Sequence, residues 1–446
     1  MANWIERGYW DAFTLWHVRH ERDLPFWRMQ DLEKLQSQRV RTIIAHAYAT
    51  VPYYREVMDQ QGLAPRDFNT AEDLARLPLL TGDQLARTPE RFLSCDYARG
   101  NSLPLHSTGT TGHFKTVHYD PAALFLSLAN GHRQRRVLAR FVGRTVGYRE
   151  MTIARSNSVN FQIRDFYETH SWMPRGVDLT RDNIVPMGNF EQDIRQINTF
   201  KPDVILGYGS YTGVIFRWAS RHRAPLWCPR AILYSADQMA VADRHLIEKE
   251  FGVPVFSAYQ AIEALRIAFQ CERRAGFHIS LDQVAVRVVD EQGKPVAPGN
   301  AGEIVISNLT NQATVLLNYK LGDVVTLDRA PCLCGRTLPT IARIDGRIGE
   351  LIAQPDGRMI YLSVITERFS DISGIIQTQL IQEEPRRFLL KIVCTEQANS
   401  EQTYQRLDAV LRSVLGNDIV TTIQHVEIIP PEPGGKVRAF ISRCAI

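Results

Sequence analysis

At 446 residues the chain exceeds the ~250–300 residues at which a single core stops growing, so roughly two to three domain units are expected. Hydrophobic residues at 44% against 22% charged exclude a disordered chain, and a net charge of +4 without a basic run argues against nucleic acid as the main partner. No apolar stretch approaches the ~20 residues that cross a bilayer, and the opening M-A-N-W-I-E-R-G-Y-W-D lacks an apolar run behind positive charge. Neither a membrane partner nor a secretory leader is expected, and a cytoplasmic setting is the default.

The first 100 residues read as a mainly helical entry region. Leu32, Leu35, Val40, Ile43, Ile44 and Ala47 recur mostly at helical spacing. Trp4, Trp10, Trp16 and Trp27 stand among charged residues. They are expected to pack on the protein's own body, a partner-docking helix being the alternative. Between residues 100 and 330 short apolar runs alternate with helical stretches: P-D-V-I-L-G-Y, A-I-L-Y-S-A, V-P-V-F-S-A-Y. Each ends in or near small residues, where α/β proteins place their ligands. Gln283–Val289 and Gly302–Ser307, joined through E-Q-G-K-P, read instead as antiparallel strands. Beyond Gly346 a separate unit of about 100 residues is expected. It comprises a hairpin turning at D-G, a helix at Tyr361–Phe369, strands at Ile376–Ile381 and Arg387–Val393, a helix at Gln402–Leu415, and a last strand ending in P-P-E-P-G-G-K-V-R.

Chemistry concentrates in a few strings. In H-S-T-G-T-T-G-H-F-K, Gly109 and Gly112 let the backbone turn its N–H groups inward, Ser107, Thr108, Thr110 and Thr111 add hydroxyls, and Lys115 adds positive charge. Such a concavity suits a polyphosphate, although the G-x-x-x-x-G-K-[ST] spacing is absent and composition alone fits an ordinary surface loop equally well. Cys271 and His278 are separated by six residues, and Cys332 and Cys334 form a C-x-C. Three thiolates and an imidazole would make a closed tetrahedral, structural zinc site; otherwise they are four residues that never meet. Cys95, Cys228, Cys394 and Cys444 read as plain thiols.

The glycine-rich string resembles the phosphate loop of the adenylate-forming superfamily, S-S-G-T-T-G-x-P-K. Together with D-L-A-R-L-P-L-L-T, Y-S-A-D-Q-M, A-Y-Q-A-I-E-A, N-Y-K-L-G-D, C-L-C-G-R, D-G-R-I-G-E-L-I and G-G-K-V-R, it is similar, in order, to the phenylacetate–CoA ligase-like branch, including its capsule-biosynthesis subtype. The resemblance implies an α/β fold. A large N-terminal adenylate-forming domain at 1–345, with two α/β sheets and a small β region, would precede a small mobile α+β cap at 346–446.

It also implies roles. Tyr259 matches the aromatic residue near adenine and Glu263 the carboxylate that holds Mg2+, a hard cation that takes oxygen ligands; the bland alternative for Glu263 is a structural ion pair. Ile262 replaces the usual Thr. Asp323 would accept from the ribose hydroxyls, and Asp237 occupies the acidic position beside the adenine pocket. Arg347 would help bind the nucleotide at the interdomain hinge, where Glu350 keeps one acidic position and Gly349 replaces the other. Lys436, between flexible glycines and the chain end, would bring an ammonium to the charge that collects when a carboxylate attacks the α-phosphate; a surface lysine is the alternative. Several branch members carry a similar Cys/His set. The implied reaction consumes ATP and a carboxylic acid, forms an acyl-adenylate and passes the acyl group to coenzyme A, or to an amine or a carrier-protein thiol. A homodimer is common in the branch. A non-catalytic nucleotide-binding relative is the competing class, suggested by Ile262 and Gly349.

Overall fold

The computed structural model describes residues 3–97, 100–106, 115–156, 158–172, 180–347, 351–354, 359–369, 372–430 and 438–444. Helices α1 (Trp4–Glu21), α2 (Met29–Thr50), α3 (Pro52–Gln60) and α4 (Gly82–Arg87) lead into β1 (Leu103–His106), β2 (Thr116–Tyr119) and α5 (Pro121–Val142). Then come β3 (Arg149–Ile153), α6 (Val159–His170), β4 (Thr180–Ile184), α7 (Phe190–Phe200), β5 (Val204–Gly207), α8 (Gly209–Arg221), β6 (Ala231–Tyr234) and α9 (Val241–Glu250). A run of strands follows: β7 (Val255–Ala261), β8 (Leu265–Gln270), β9 (Phe277–Ile279), β10 (Val284–Val289), β11 (Ala301–Asn308), β12 (Tyr319–Leu327) and β13 (Thr340–Arg347). The chain closes with β14 (Leu351–Ala353), β15 (Met359–Tyr361), α10 (Leu362–Phe369), β16 (Ile375–Glu384), β17 (Arg387–Cys394), α11 (Glu401–Leu415), β18 (Val420–His425) and β19 (Phe440–Ser442).

The chain forms two units, one of Met1–Tyr148, Ser156–Thr180 and Phe256–Ile344, the other of Arg149–Arg155, Arg181–Val255 and Asp345–Ile446. In the first, strands run in the order β10-β11-β12-β13-β9-β8-β7, and the pairs β10/β11, β11/β12, β13/β9, β9/β8 and β8/β7 are antiparallel. Val40, Ile43, Ile44 and Ala47 of α2, the stripe expected from spacing, enter one core with Ile267, Ile304, Ile306 and Tyr319. Helix α5 has legible ends. Asp120 caps it by accepting from Ala123 N–H, Pro121 opens it, and Gly143 closes it at φ 86. The tryptophans divide: Trp10 stacks on Phe125 at 4.8 Å and Trp27 is half-buried, but Trp4 and Trp16 stay 73% and 61% exposed. Own-body packing therefore fails for two of the four, because α1 turns only one face to α5 and carries those two indoles on the other.

In the second unit, β6-β5-β3-β4 form the sheet order, with β3, β5 and β6 parallel. The chain leaves β3 for β4 on one side and returns to β5 on the other, so a topological switch lies at the carboxyl ends of β3 and β5. Gly207 ends β5 there at φ 133, and a Cβ on it would stand 2.0 Å from Ile153 O, so only glycine fits. Residues 345–446 of this unit carry a sheet ordered β18-β17-β16-β19 over α10 and α11. Ile352, Ile365, Leu380, Leu390, Leu407, Leu411 and Phe440 are buried in its own core. The expected hairpin is the pair β14/β15, and its D-G turn lies outside the described residues. The strand expected to be last is followed by another, β19, which pairs parallel with β16; its three residues are too short a run for periodicity to register.

Candidate active site

Glu263 lies in the tight connection between β7 and β8, where Ala264 N–H bonds Ala261 O at 3.2 Å and Leu265 adopts φ 53. Two buried polar groups clamp this connection. Tyr119 OH donates to Ile262 O at 2.8 Å, and Asn308 Nδ2 donates to Glu263 O at 3.1 Å. The Glu263 side chain, 5% exposed, meets Lys115 Nζ at 3.0 Å and Tyr319 OH at 3.0 Å, both at Oε1. A buried carboxylate is tolerated because it is paired and hydrogen-bonded.

Asp323 is aimed by a bulge. Val305 pairs with Lys320 and Glu303 with Val324, so β12 carries extra residues around Gly322, which takes φ 85. The G-D pair is thus an irregularity inside a strand rather than a turn. Tyr259 OH donates to Asp323 Oδ2 at 2.6 Å, and both residues are buried. In the second unit Asp237, in the β6–α9 connection, turns its carboxylate to the first residues of α8. Its Oδ1 accepts from Gly209 N–H at 2.6 Å, and its Oδ2 from the Ser210 hydroxyl. Ala236, Leu265 and Asn318, each at positive φ, stand next to or two residues from Asp237, Glu263 and Tyr319. Non-glycine residues there cost of order 1 kcal/mol and cluster where a site needs unusual geometry.

Cys271, His278, Cys332 and Cys334 do meet: their ligand atoms all lie within 4.8 Å of one another. Cys271 follows β8, His278 is in β9, and the C-x-C sits in the β12–β13 connection. Cys271 Sγ and Cys332 Sγ are 3.8 Å apart, and Cys334 Sγ and His278 Nε2 3.3 Å apart. Tetrahedral zinc, with bonds of ~2.3 Å to sulfur and ~2.0 Å to nitrogen, spaces its ligands by about 3.5–3.8 Å. His278 Nδ1 faces Leu338 O at 3.2 Å, which makes Nδ1 the donor and leaves Nε2 as ligand. Burial pulls His278 down to about 4 and so keeps the imidazole neutral. Burial also pushes the Cys271 thiol up to about 12, while at Cys334 burial raises it but the hydrogen bonds from Arg336 and Cys332 and the Arg336 charge together lower it. The donor set fits zinc, with no position left open for a substrate.

Three comparisons bear on identity. Residues 352–443 match the family model described as the CapK C-terminal domain. Over 338 residues, 72% of this chain and 72% of the relative, the sequence is 28% identical to a phenylacetate-coenzyme A ligase of Thermus thermophilus. Over 419 residues it is 23% identical to protein CapK of Staphylococcus aureus, covering 92% and 89% of the two chains. The chain is thus similar to phenylacetate–coenzyme A ligases and to CapK, relatives that match the branch expected from its sequence strings. The fold agrees. A 2-hydroxyisobutyryl-CoA ligase in complex with an acyl-AMP superposes with a TM-score of 0.77 at 17% identity, over 94% of this chain and 90% of that one.

Of the residues that the resemblance singles out, the structure brings together Lys115 with Glu263, and Tyr259 with Asp323. Arg347 ends β13. Ser107, Thr108, Gly109, Thr110, Thr111, Gly112, Gly349, Glu350 and Lys436 lie outside the described residues. Sequence reasoning missed Tyr119, which holds the Ile262 carbonyl from 143 residues away, and Asn308 and Tyr319, which hold Glu263 from 45 and 56 residues away. Only Tyr319 left a signal, inside N-Y-K-L-G-D.

Proposed function

We propose that this protein is an ATP-dependent, AMP-forming acid ligase that makes an acyl-adenylate and then passes the acyl group to coenzyme A. The observation that carries the reading is the pairing of part-buried Lys115 with buried Glu263, which lies in the β7–β8 connection at the place of the branch's cation-holding carboxylate.

ATP is bound with its polyphosphate on the 107–115 loop, where Lys115 adds positive charge, and with its ribose hydroxyls on Asp323. Tyr259 holds that carboxylate by its hydroxyl and presents its ring to the base. Glu263 would hold Mg2+, which when bound neutralises phosphate charge. A carboxylate oxygen of the substrate attacks the α-phosphorus, the bond to the β-phosphate oxygen breaks, and pyrophosphate leaves with the electron pair. Lys436 stabilises the negative charge gathered in that transition state. In the second half, an acceptor thiol gives up its proton and attacks the acyl carbonyl, and AMP departs. Residues 346–446 act as the cap, turning about the segment near Arg347 between the two half-reactions. Cys271, His278, Cys332 and Cys334 would hold a structural zinc apart from the chemistry.

A second acceptor is left open by one observation. The cap matches a CapK domain, and the CapK relative covers 92% of the chain whereas the Thermus coenzyme A ligase covers 72%. The CapK name specifies no acceptor, so an amine or a carrier-protein thiol stands as the alternative to coenzyme A. The test is pyrophosphate release from ATP across aromatic and aliphatic acids, with and without coenzyme A. Stimulation by coenzyme A is the expected result. Turnover indifferent to coenzyme A moves the acceptor to an amine or carrier protein. Silence with every acid, with ATP still bound, marks a non-catalytic relative.

A further inference from the structure

Tyr319 is a buried phenol in contact with two charged groups of the site, and no step above uses it. It is 0% exposed, and its hydroxyl stands 3.0 Å from Lys115 Nζ and 3.0 Å from Glu263 Oε1. Lys115 Nζ is itself 3.0 Å from that oxygen. An ammonium only donates and a carboxylate only accepts, so the phenol accepts from Lys115 and donates to Glu263. Each corner of the triangle fixes the other two.

The backbone around Tyr319 is held just as firmly. Leu80 N–H bonds Asn318 O at 3.0 Å and Lys320 N–H bonds Leu80 O at 2.8 Å, one on each side of Tyr319. Two residues beyond Leu80 stands Gly82, the first residue of α4. A Cβ on Gly82 would lie 3.0 Å from both Lys115 Cε and Nζ and 3.4 Å from Tyr319 OH. Gly82 is not among the glycines at positive φ, so its backbone does not demand glycine. A Cβ there would instead push the ammonium from its seat by a few tenths of an ångström.

We infer that Tyr319 is a positioning residue that sets the Glu263 carboxylate and the Lys115 ammonium in register before nucleotide arrives, with Gly82 keeping room for the ammonium. This rests on the proposed role of Glu263 as the cation-holding carboxylate. When a polyphosphate draws Lys115 toward itself, the phenol still holds Oε1, so the carboxylate does not have to be re-ordered to receive the cation. Groups that orient a metal-binding carboxylate in this way typically change metal affinity by about 10–100-fold when removed.

The experiment measures ATP affinity by calorimetry, in EDTA and in Mg2+, together with the melting temperature, for wild type, Tyr319→Phe, Gly82→Ala and Glu263→Gln. Tyr319→Phe is expected to leave affinity in EDTA within about twofold and to cut the Mg2+-dependent gain about tenfold or more. Gly82→Ala is expected to keep or raise the melting temperature, since alanine is the better helix former, while weakening ATP in both buffers. Wild-type affinities in both variants, or an equal loss in both buffers for Tyr319→Phe with a lowered melting temperature, would overturn the inference. If wild type shows no Mg2+-dependent gain, or Glu263→Gln keeps it, the fault lies instead in the reading of Glu263.

Discussion

Burial pushes the Asp193 carboxyl up to about 6, although the hydrogen bond from Tyr211 OH at 2.7 Å pulls the other way. A carboxyl raised in the fold binds its proton more tightly there than in the unfolded chain. Its contribution is therefore fully present at low pH and is lost as pH rises from about 4 to about 6, by roughly 2–3 kcal/mol. Asp193→Asn keeps an acceptor for Tyr211 and should flatten the stability profile across that window, read by denaturant titration at several pH values. An unchanged slope would put the titration elsewhere. Lys436→Ala is the matching test of chemistry. Pyrophosphate release should fall by about 100-fold or more with ATP affinity retained, as for other groups that meet charge only in the transition state. Both the residues and their legibility divide by distance. Tyr259, Glu263 and Asp323 could be read because each sits in a short string with its own glycine or aromatic neighbours. Tyr119 and Asn308 could not, since what makes them matter is a backbone carbonyl reached from far along the chain.

At the scale of elements, two polar assemblies pin the first unit's helices and turns. Arg133 of α5 is fully buried between Glu21 at the end of α1, and Asp282, whose Oδ1 is 2.9 Å away. Burial would raise Asp282, but Arg133 and Arg39 outweigh it and hold it below the usual carboxylate range. Arg133→Ala leaves two buried carboxylates facing each other and should cost about 3–5 kcal/mol, seen as a lowered denaturant midpoint. The Cys/His cluster is the second. Its loop carries Arg336, which takes Glu272 with two bonds of 2.7 and 3.1 Å and lies over Phe26, while Thr337 N–H reaches Pro25 O at 2.9 Å. Purified protein should contain one zinc per chain, and Cys334→Ser should lower the melting temperature by several degrees and open the 22–28 segment to protease. Metal-free protein of full stability would contradict that. Helix and strand identity over these elements was legible from period and caps, as with Asp120, Pro121 and Gly143 around α5. The four-residue cluster was legible as a set but not as a place, because its halves meet only through sheet pairing. Bulges such as the one at Gly322 were not legible, since a strand interrupted by G-D reads locally as a turn.

For the whole molecule, the proposed chemistry and the proposed cap fall on different stretches of the chain. Glu263, Lys115 and Asp323 lie on the first unit, and residues 345–446 bury their own core over β16–β19. A fragment bearing its own core can move as a body, which is what a ligase with two half-reactions requires. The strings of the branch, met in order along the chain, made the family resemblance and the α/β fold legible in the sequence. What they left open is the acid and the acceptor, which depend on side chains that no shared string fixes. The most direct test of the central claim is acid-dependent exchange of labelled pyrophosphate into ATP, with no acceptor added. Reversible adenylation predicts exchange that requires both an acid and Mg2+ and disappears in Glu263→Gln. Exchange absent with every acid, in protein that still binds ATP, would contradict the account.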